Sequence, residues 1–406
     1  MRVNERRRAA LIIFIAWFAY VCSYLGRSDY STCILEIVNT TGASRTAAGM
    51  VSSVFAICNA FGQIAGGLII KKISPIKIIS VELVTVCAIN LLFPLTNSFV
   101  VMAVLWGING IVQATLISSI TQIFASTLKE PYLSRGLVLL NTIGAVGGLF
   151  NYVLAYALIR FLNWKAVFFV AAALLMCIGV AWYLCMPRLA GNVQVKATNK
   201  ESQAQTQQNS FFAVLRSYGT AYVIVGALFI GSLRESVSLW IPSYMNEMFA
   251  LDSAVSTVIT AVVPCMQVCG AFLGGYLGRK FRNLQFLACA TFLCSAMCLL
   301  MIRLLGSINP VISISFFAMN AVSMTTALTF LASLFPVRYA NFGNVALLVG
   351  VINFAVHAGD FAASMGIGWL SEFGWDIAFV VLCVVAFLGG IICLLGGMVC
   401  AKQEKA

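Results

Sequence analysis

The sequence contains few charged residues and almost no histidine. Of its 406 residues, 9% are charged, and His357 is the single histidine. No Gly-x-x-x-x-Gly-Lys-Ser/Thr nucleotide-binding motif is present, and one histidine beside fourteen cysteines provides no recognisable set of zinc ligands. No nucleophile stands with a general base in a catalytic pattern. The sequence therefore argues against an enzyme, an ATP-driven pump and a metalloprotein, and it predicts no cofactor.

Apolar segments make up most of the chain. Apolar residues account for 61% of the sequence, and the mean hydropathy is +0.97. Uninterrupted apolar stretches of about 20 residues recur, which is the length that crosses a bilayer as a helix. The sequence predicts an all-α membrane protein with twelve transmembrane helices, at residues 9–35, 46–70, 76–96, 98–124, 134–160, 164–187, 215–245, 253–278, 284–305, 309–335, 343–370 and 375–400.

Charge and polarity predict how these helices are organised. The long polar stretch 188–213 predicts a cytoplasmic linker between an N-terminal six-helix bundle, 1–187, and a C-terminal bundle, 214–406. Of the 25 Lys and Arg residues, 19 fall on the side of the N-terminus and 4 on the other side, which predicts that both termini are cytoplasmic in a cell inner (plasma) membrane. The same asymmetry explains the net charge of +12 without a nucleic-acid partner.

The two halves of the sequence are related by an internal repeat. GGLIIKK at 66–72 recurs as GGYLGRK at 274–280, and NWKAVFFV at 163–170 recurs as GWDIAFVV at 374–381. These matches are 208 and 211 residues apart, and a shift of 207 places Arg27 on Arg234. The first helix of each half therefore carries one arginine at an equivalent depth.

Two interpretations of these arginines are open. Each could be neutralised in a structural ion pair, Arg27 by Asp29 or Glu235 and Arg234 by Glu235 or another carboxylate. Alternatively, the two could form a symmetric clamp for an anionic substrate between the halves, where transporters built from repeats bind their substrates. A guanidinium group binds carboxylate or phosphate through two hydrogen bonds and stays charged. Repetition at the same depth favours the clamp.

Other polar residues in the predicted spans are candidates for binding or for proton coupling. Tyr20 and Tyr24 share a helical face with Arg27, although either could be a packing residue. Asp29 and Glu235 lie beside the arginines, and protonation of either would free an arginine for substrate.

A third group lies on the eleventh predicted helix. Asn353, His357 and Asp360 are spaced i, i+4 and i+7, so they share one face and could relay protons. His357 has no counterpart in the other half, and it could equally be a packing residue.

Several motifs resemble those of a known family. YLGRSDYS around Arg27, FIGSLRESVSLWIPSYM at 229–245, LNTIGAVGG at 140–148 and GWDIAFVV are similar to the major facilitator superfamily and, within it, to the organophosphate:phosphate antiporters. The resemblance implies the twelve-helix major facilitator fold, substrate phosphate held by Arg27 and Arg234, and exchange by rocking of the two halves. We expect Gln63, Asn141 and Asn353 to complete the substrate contacts.

The sequence departs from that family at four positions. Gln63 stands where the family has a phosphate-site lysine, and Gly144 stands where it has a histidine. The gating aspartate of the superfamily's cytoplasmic motif is replaced by Lys71 and by Arg279. Phosphate need not be the exchanged anion, and another contact must hold the two halves together.

The predicted function is secondary transport of a small organic anion, an organophosphate or a related carboxylate, in antiport with an anion such as phosphate. One alternative is a proton-coupled symporter of organic anions such as sugar acids, although that group usually has an acid where this chain has Gly26. Another alternative is a membrane receptor that binds an anion without moving it. The expected partners are a small anionic substrate and the lipid bilayer, and the expected state is a monomer.

Overall fold

The computed structural model describes residues 2–69, 73–129, 131–140, 142–191, 219–338 and 345–403. Lys71, Asn141 and residues 192–213 of the predicted linker lie outside these ranges. The first three residues of that predicted linker, 188–190, form the end of a helix.

Within the described residues the chain is helical almost throughout. The helices, in chain order, are α1 Arg2–Thr41, α2 Arg45–Ile69, α3 Pro75–Leu92, α4 Phe99–Gln113, α5 Leu116–Thr127, α6 Tyr132–Leu140, α7 Ile143–Phe161, α8 Trp164–Ala190, α9 Thr220–Phe249, α10 Ser253–Ile259, α11 Val262–Lys280, α12 Leu284–Leu305, α13 Pro310–Leu328, α14 Phe335–Arg338, α15 Val345–Glu372 and α16 Trp375–Gln403.

Ten of the twelve predicted spans are matched by helices long and apolar enough to cross a membrane in the part of the chain that the structure describes. The other two coincide with α2 and with the pair α6 and α7, of which Val146–Phe161 is a shorter apolar helix. The all-α membrane fold is confirmed.

Polar residues mark the starts of several helices. Asn163 Oδ1 accepts from Ala166 N at 3.2 Å at the start of α8, and Asn309 Oδ1 accepts from Val311 N at 2.8 Å at the start of α13. Pro310 occupies the first position of α13, where a missing backbone N–H costs nothing. These caps end the polar loops and begin the apolar spans.

Small residues allow α9 and α15 to approach closely. A Cβ added at Gly231 would lie 1.8 Å from Val356 O, and one added at Gly359 would lie 1.8 Å from Leu228 O. Because lipid offers no hydrophobic drive for helix association, such close backbone packing stabilises membrane helix pairs. This contact fixes the spacing between two helices that carry candidate site residues.

Candidate functional site

A polar cavity of about 190 Å³ lies among the helices. Its lining comes from α1, α2, α4, α7, α9, α11 and α15, and it includes four charged side chains, namely Arg27, Arg234, Glu235 and Asp360. Its uncharged polar lining includes Tyr24, Ser28, Ser31, Asn59, Asn151, Tyr152, Ser238, Gln267, His357 and Ser364. The structure thus brings both predicted clamp arginines into one space.

Arg27 has no carboxylate partner within the described residues. Its guanidinium carbon lies 4.6 Å from the centroid of the Tyr24 ring, a cation–π contact one helical turn back on α1. Tyr24 also shares a side-chain hydrogen bond with the guanidinium. A guanidinium has five N–H donors, so others remain available to a ligand in the cavity.

Arg234 is partly committed to a neighbour. Its Nη2 lies 2.5 Å from Glu235 Oε1, while its Nε is buried and has no hydrogen-bond partner. The Glu235 side chain is 46% exposed. The structural ion pair proposed for this arginine is therefore present, and one donor is still left unused.

An asparagine holds the backbone just before each arginine. Asn109 Nδ2 on α4 donates to Gly26 O at 3.0 Å, and Asn320 Nδ2 on α13 donates to Leu233 O at 3.2 Å. Asn90 on α3 also donates to Gly26 O, at 3.0 Å. Asn109 and Asn320 are 211 residues apart, close to the repeat spacing, so each half holds its arginine-bearing helix in the same way.

A second side chain orients each of these amides. Gln113 Nε2 donates to Asn109 Oδ1 at 2.7 Å, and Ser295 Oγ donates to Asn320 Oδ1 at 2.6 Å. With each amide oxygen occupied, each NH₂ group faces the helix carbonyl. Sequence reasoning missed these asparagines, although the repeat that relates the arginines also relates Asn109 to Asn320.

Asp360 is held at the cavity by two hydroxyl groups. Ser236 Oγ and Ser364 Oγ each donate to Asp360 Oδ1 at 2.9 Å. Oδ2 makes no hydrogen bond with the described residues. The carboxyl group is therefore fixed through one oxygen, and the side chain lines the cavity.

His357 joins α15 to α2. Gln63 Nε2 donates to Asn59 Oδ1 at 2.9 Å and lies 3.1 Å from His357 Nε2. Both contacts are satisfied when Gln63 donates one amide hydrogen to each, with the imidazole nitrogen as acceptor and the ring neutral. His357 and Asn59 line the cavity, whereas Gln63 lies beside its lining.

The remaining candidates lie outside the cavity lining. Tyr20 packs against a second apolar cluster, and Asn353 is half-buried one turn from His357. Asn141 lies outside the described residues. Asp29 is fully buried, and neither of its carboxylate oxygens has a hydrogen-bond partner. Because residues i and i+2 of a helix point to nearly opposite sides, Asp29 faces away from Arg27 and the cavity.

The helix ends opposite the chain termini are joined across the cavity. Arg45 of α2 forms an ion pair with Glu247 of α9, and it donates to Ser371 O at 2.8 Å. Thr46 N and Oγ1 both donate to Glu372 Oε1 at 2.9 Å. These contacts close the side that the sequence predicts to be non-cytoplasmic.

Close backbone packing reinforces this closure. A Cβ at Gly49 would lie 2.5 Å from Ser364 O, and one at Gly368 would lie 2.7 Å from Arg45 O. Helix α2 and helix α15 therefore touch at that end with no room for a side chain between them.

Comparison with known proteins gives a family and distant relatives. The family model described as the Major Facilitator Superfamily matches residues 16–363. The "Membrane sensor protein UhpC" of Salmonella typhimurium is 20% identical over 287 residues, which cover 67% of this chain and 64% of the relative. The "Glycerol-3-phosphate transporter" of Bacillus subtilis is 23% identical over 294 residues, which cover 68% of this chain and 66% of the relative. The chain thus spans just under two thirds of the length of both relatives.

Solved structures show the same architecture. A crystal structure of the nucleoside transporter NupG superposes with a TM-score of 0.77 at 12% identity, covering 96% of this chain and 99% of the other. At this identity the similarity establishes the fold and carries no information about substrate.

Proposed function

The chain belongs to the Major Facilitator Superfamily, and on this premise we propose that it is a secondary transporter of a small organic anion. The predicted superfamily and its all-α membrane fold are confirmed, while the count of twelve transmembrane helices stays a prediction. The chain is a multi-pass membrane protein of a superfamily of transport proteins. The relative named as a glycerol-3-phosphate transporter supports an anionic substrate. We place the protein in the plasma membrane as a monomer with both termini cytoplasmic.

One observation carries this proposal. Arg27 and Arg234, which the internal repeat relates, line the same small cavity from the two halves. Neither is fully committed: Arg27 contacts Tyr24 and forms no ion pair within the described residues, and Arg234 Nε has no hydrogen-bond partner there. An arginine in a membrane span is energetically costly, and such residues usually mark a substrate or ion pathway. Two arginine side chains that line one small space suit a shared anionic ligand.

The proposed cycle exposes the cavity alternately to the two sides. We assign 1–187 and 214–406 to the two moving bundles, with 188–213 as the linker between them. In the present arrangement the Arg45–Glu247 pair holds the side opposite the termini closed. Opening that side requires breaking this pair and separating α2 from α15. This closure lies at the end opposite the cytoplasmic aspartates that the sequence lacks, so it holds the other state of the cycle and does not replace them.

Charge balance during the cycle allows antiport with an anion such as phosphate, or symport with protons. Symport would use Glu235 and Asp360, both of which line the cavity. Asp29 has no contact with the cavity and is less well placed for this role. Counting protons moved per substrate in vesicles distinguishes the two modes.

A receptor function remains the second candidate, because one relative is named a membrane sensor. A receptor binds its ligand without moving it. Net uptake of a bound ligand into sealed vesicles that contain the purified protein supports transport, and binding with no uptake supports the receptor.

The experiment that tests the clamp compares Arg27→Lys and Arg234→Lys with wild type. Lysine keeps the charge but loses the forked pair of donors, so each variant should lose at least one charge-assisted hydrogen bond, about 1.5–3 kcal/mol, or roughly 10- to 150-fold in affinity. Arg303→Lys is the matched control, because Arg303 does not line the cavity and forms only a half-exposed ion pair with Asp376 at 3.7 Å. Wild-type affinity in either clamp variant would refute the proposal.

A further inference from the structure

The charged groups of the cavity are balanced in sign. Two arginines and two carboxylates line it, and His357, a further titratable side chain of the lining, lies 3.1 Å from Gln63 Nε2. A cavity built only to hold an anion would gain from excess positive charge, because each buried negative group repels the ligand. The two carboxylates therefore need an explanation that the arginine clamp does not give.

Only one of the two carboxylates forms an ion pair with an arginine in the part of the chain that the structure describes. Glu235 pairs with Arg234, but Asp360 forms no ion pair within the described residues. Asp360 is instead held by Ser236 and Ser364 through Oδ1 alone. The anchoring hydroxyls fix the position of the carboxyl group and leave Oδ2 without a hydrogen bond to the described residues, on a side chain that lines the cavity.

The unpaired charges are thus one cation and one anion on different helices. Arg27 lies on α1 and Asp360 lies on α15, and both line the same 190 Å³ space. A buried charge is stable only when it is paired, so a ligand that satisfies both must carry an anionic group and a cationic group. The small volume limits the distance between them to that of a compact molecule.

We infer that the cavity binds a small zwitterion, whose anionic group contacts Arg27 and whose ammonium group contacts Asp360. This inference rests on the proposed function, and it narrows the substrate class from organic anions to amino acids or phosphorylated amines. Both share the same recognition chemistry. The ligand enters without adding net charge to the cavity, so the site needs no further neutralising group.

The test uses probe pairs that differ in the ammonium group. Phosphoethanolamine is compared with ethyl phosphate, and 4-aminobutyrate with butyrate, by calorimetric binding to the purified full-length protein. We expect the aminated member of one pair to bind at least tenfold more tightly. Which pair responds identifies phosphate or carboxylate as the anionic group.

Asp360→Asn separates the ammonium contact from the anion contact. Asparagine keeps an oxygen that accepts from both serine hydroxyls, so the anchoring survives and only the charge is lost. We expect the preference for the aminated probe to fall at least tenfold while the simple anion binds as well or better. Glu82→Gln is the matched control, because Glu82 is also a buried intramembrane carboxylate that accepts a hydroxyl hydrogen bond, from Ser23 at 2.6 Å, but it lies outside the cavity lining. The Glu82→Gln variant should leave the preference for the aminated probe unchanged.

The outcomes distinguish the inference from the function on which it rests. Tighter binding of the simple anion in wild type, with binding lost in Arg27→Gln, overturns the zwitterion and leaves the anion transporter standing. An unchanged preference in Asp360→Asn also overturns the inference. If no probe with an anionic group binds, both the inference and the proposed function are refuted.

Discussion

Replacing Gly359 with alanine should separate the two helices that carry Arg234 and Asp360. The added Cβ would lie 1.8 Å from Leu228 O, about half of an ordinary contact distance, and 2.8 Å from Leu228 C. The obstructing atoms belong to the helix backbone, so no side chain can rotate away. We expect a cost of about 3 kcal/mol, the upper end for overpacking, offset by roughly 1 kcal/mol of helix propensity. Net destabilisation is then about 2 kcal/mol.

Gly366 on the same helix provides the matched control. A Cβ there meets no atom within 4 Å, so Gly366→Ala should be neutral or stabilising by up to about 1 kcal/mol. Thermal unfolding in detergent, followed by a dye that reacts with the buried cysteines as they become exposed, measures both variants. Because Asp360 adjoins Gly359, Gly359→Ala should also weaken ligand binding. Equal melting temperatures for the two variants would refute the packing argument.

Two further predictions concern the contacts that hold the arginines and close the cavity. Asn320→Leu removes the donor to Leu233 O and should weaken ligand binding by about 0.5–1.5 kcal/mol, or roughly two- to tenfold. Asn320→Gln should not restore the binding, because the longer side chain misplaces the amide. Binding equal to wild type in the leucine variant would contradict the positioning role of Asn320. Glu247→Gln breaks the ion pair with Arg45 and should favour opening of that side by about 1 kcal/mol, or about fivefold. The opening is measured as faster modification of Ser31→Cys by a membrane-impermeant thiol reagent, relative to the same cysteine with Glu247 intact. An unchanged modification rate would count against the closure.

The spans were predictable because hydropathy sums a transfer free energy over about 20 residues. That summed hydropathy is unchanged when the series of i to i−4 backbone hydrogen bonds is interrupted at one place. The break between α4 and α5 at Ala114 and the π-helical turn Thr329–Leu334 were therefore not foreseen. Helices also extend beyond the apolar runs, as α1 does from Arg2 to Thr41, because polar residues continue a helix outside the hydrocarbon region.

Residues of the cavity lining were predictable where the position of a residue along its helix decides which way the side chain points. Arg27 and Arg234 were found through the repeat, and His357 and Asp360 through their spacing. Asp29 was grouped with Arg27 by proximity in sequence, although a two-residue step turns a side chain to the opposite face. The Gln63–His357 contact depends on how two distant helices pack, and no local pattern carries that information.

The closed end of the bundle is held by groups that water reaches. Glu247 is 36% exposed, and the nearby Arg160–Asp252 pair, at 3.8 Å, has both side chains more than half exposed. Dissolved ions screen such pairs over about 8 Å at physiological ionic strength and over less in concentrated salt. If this end faces the medium, as the sequence predicts, a saltier medium weakens the closure without touching the cavity. A saltier medium is then expected to shift the protein toward opening at this end, while the close backbone packing of α2 against α15 still opposes it.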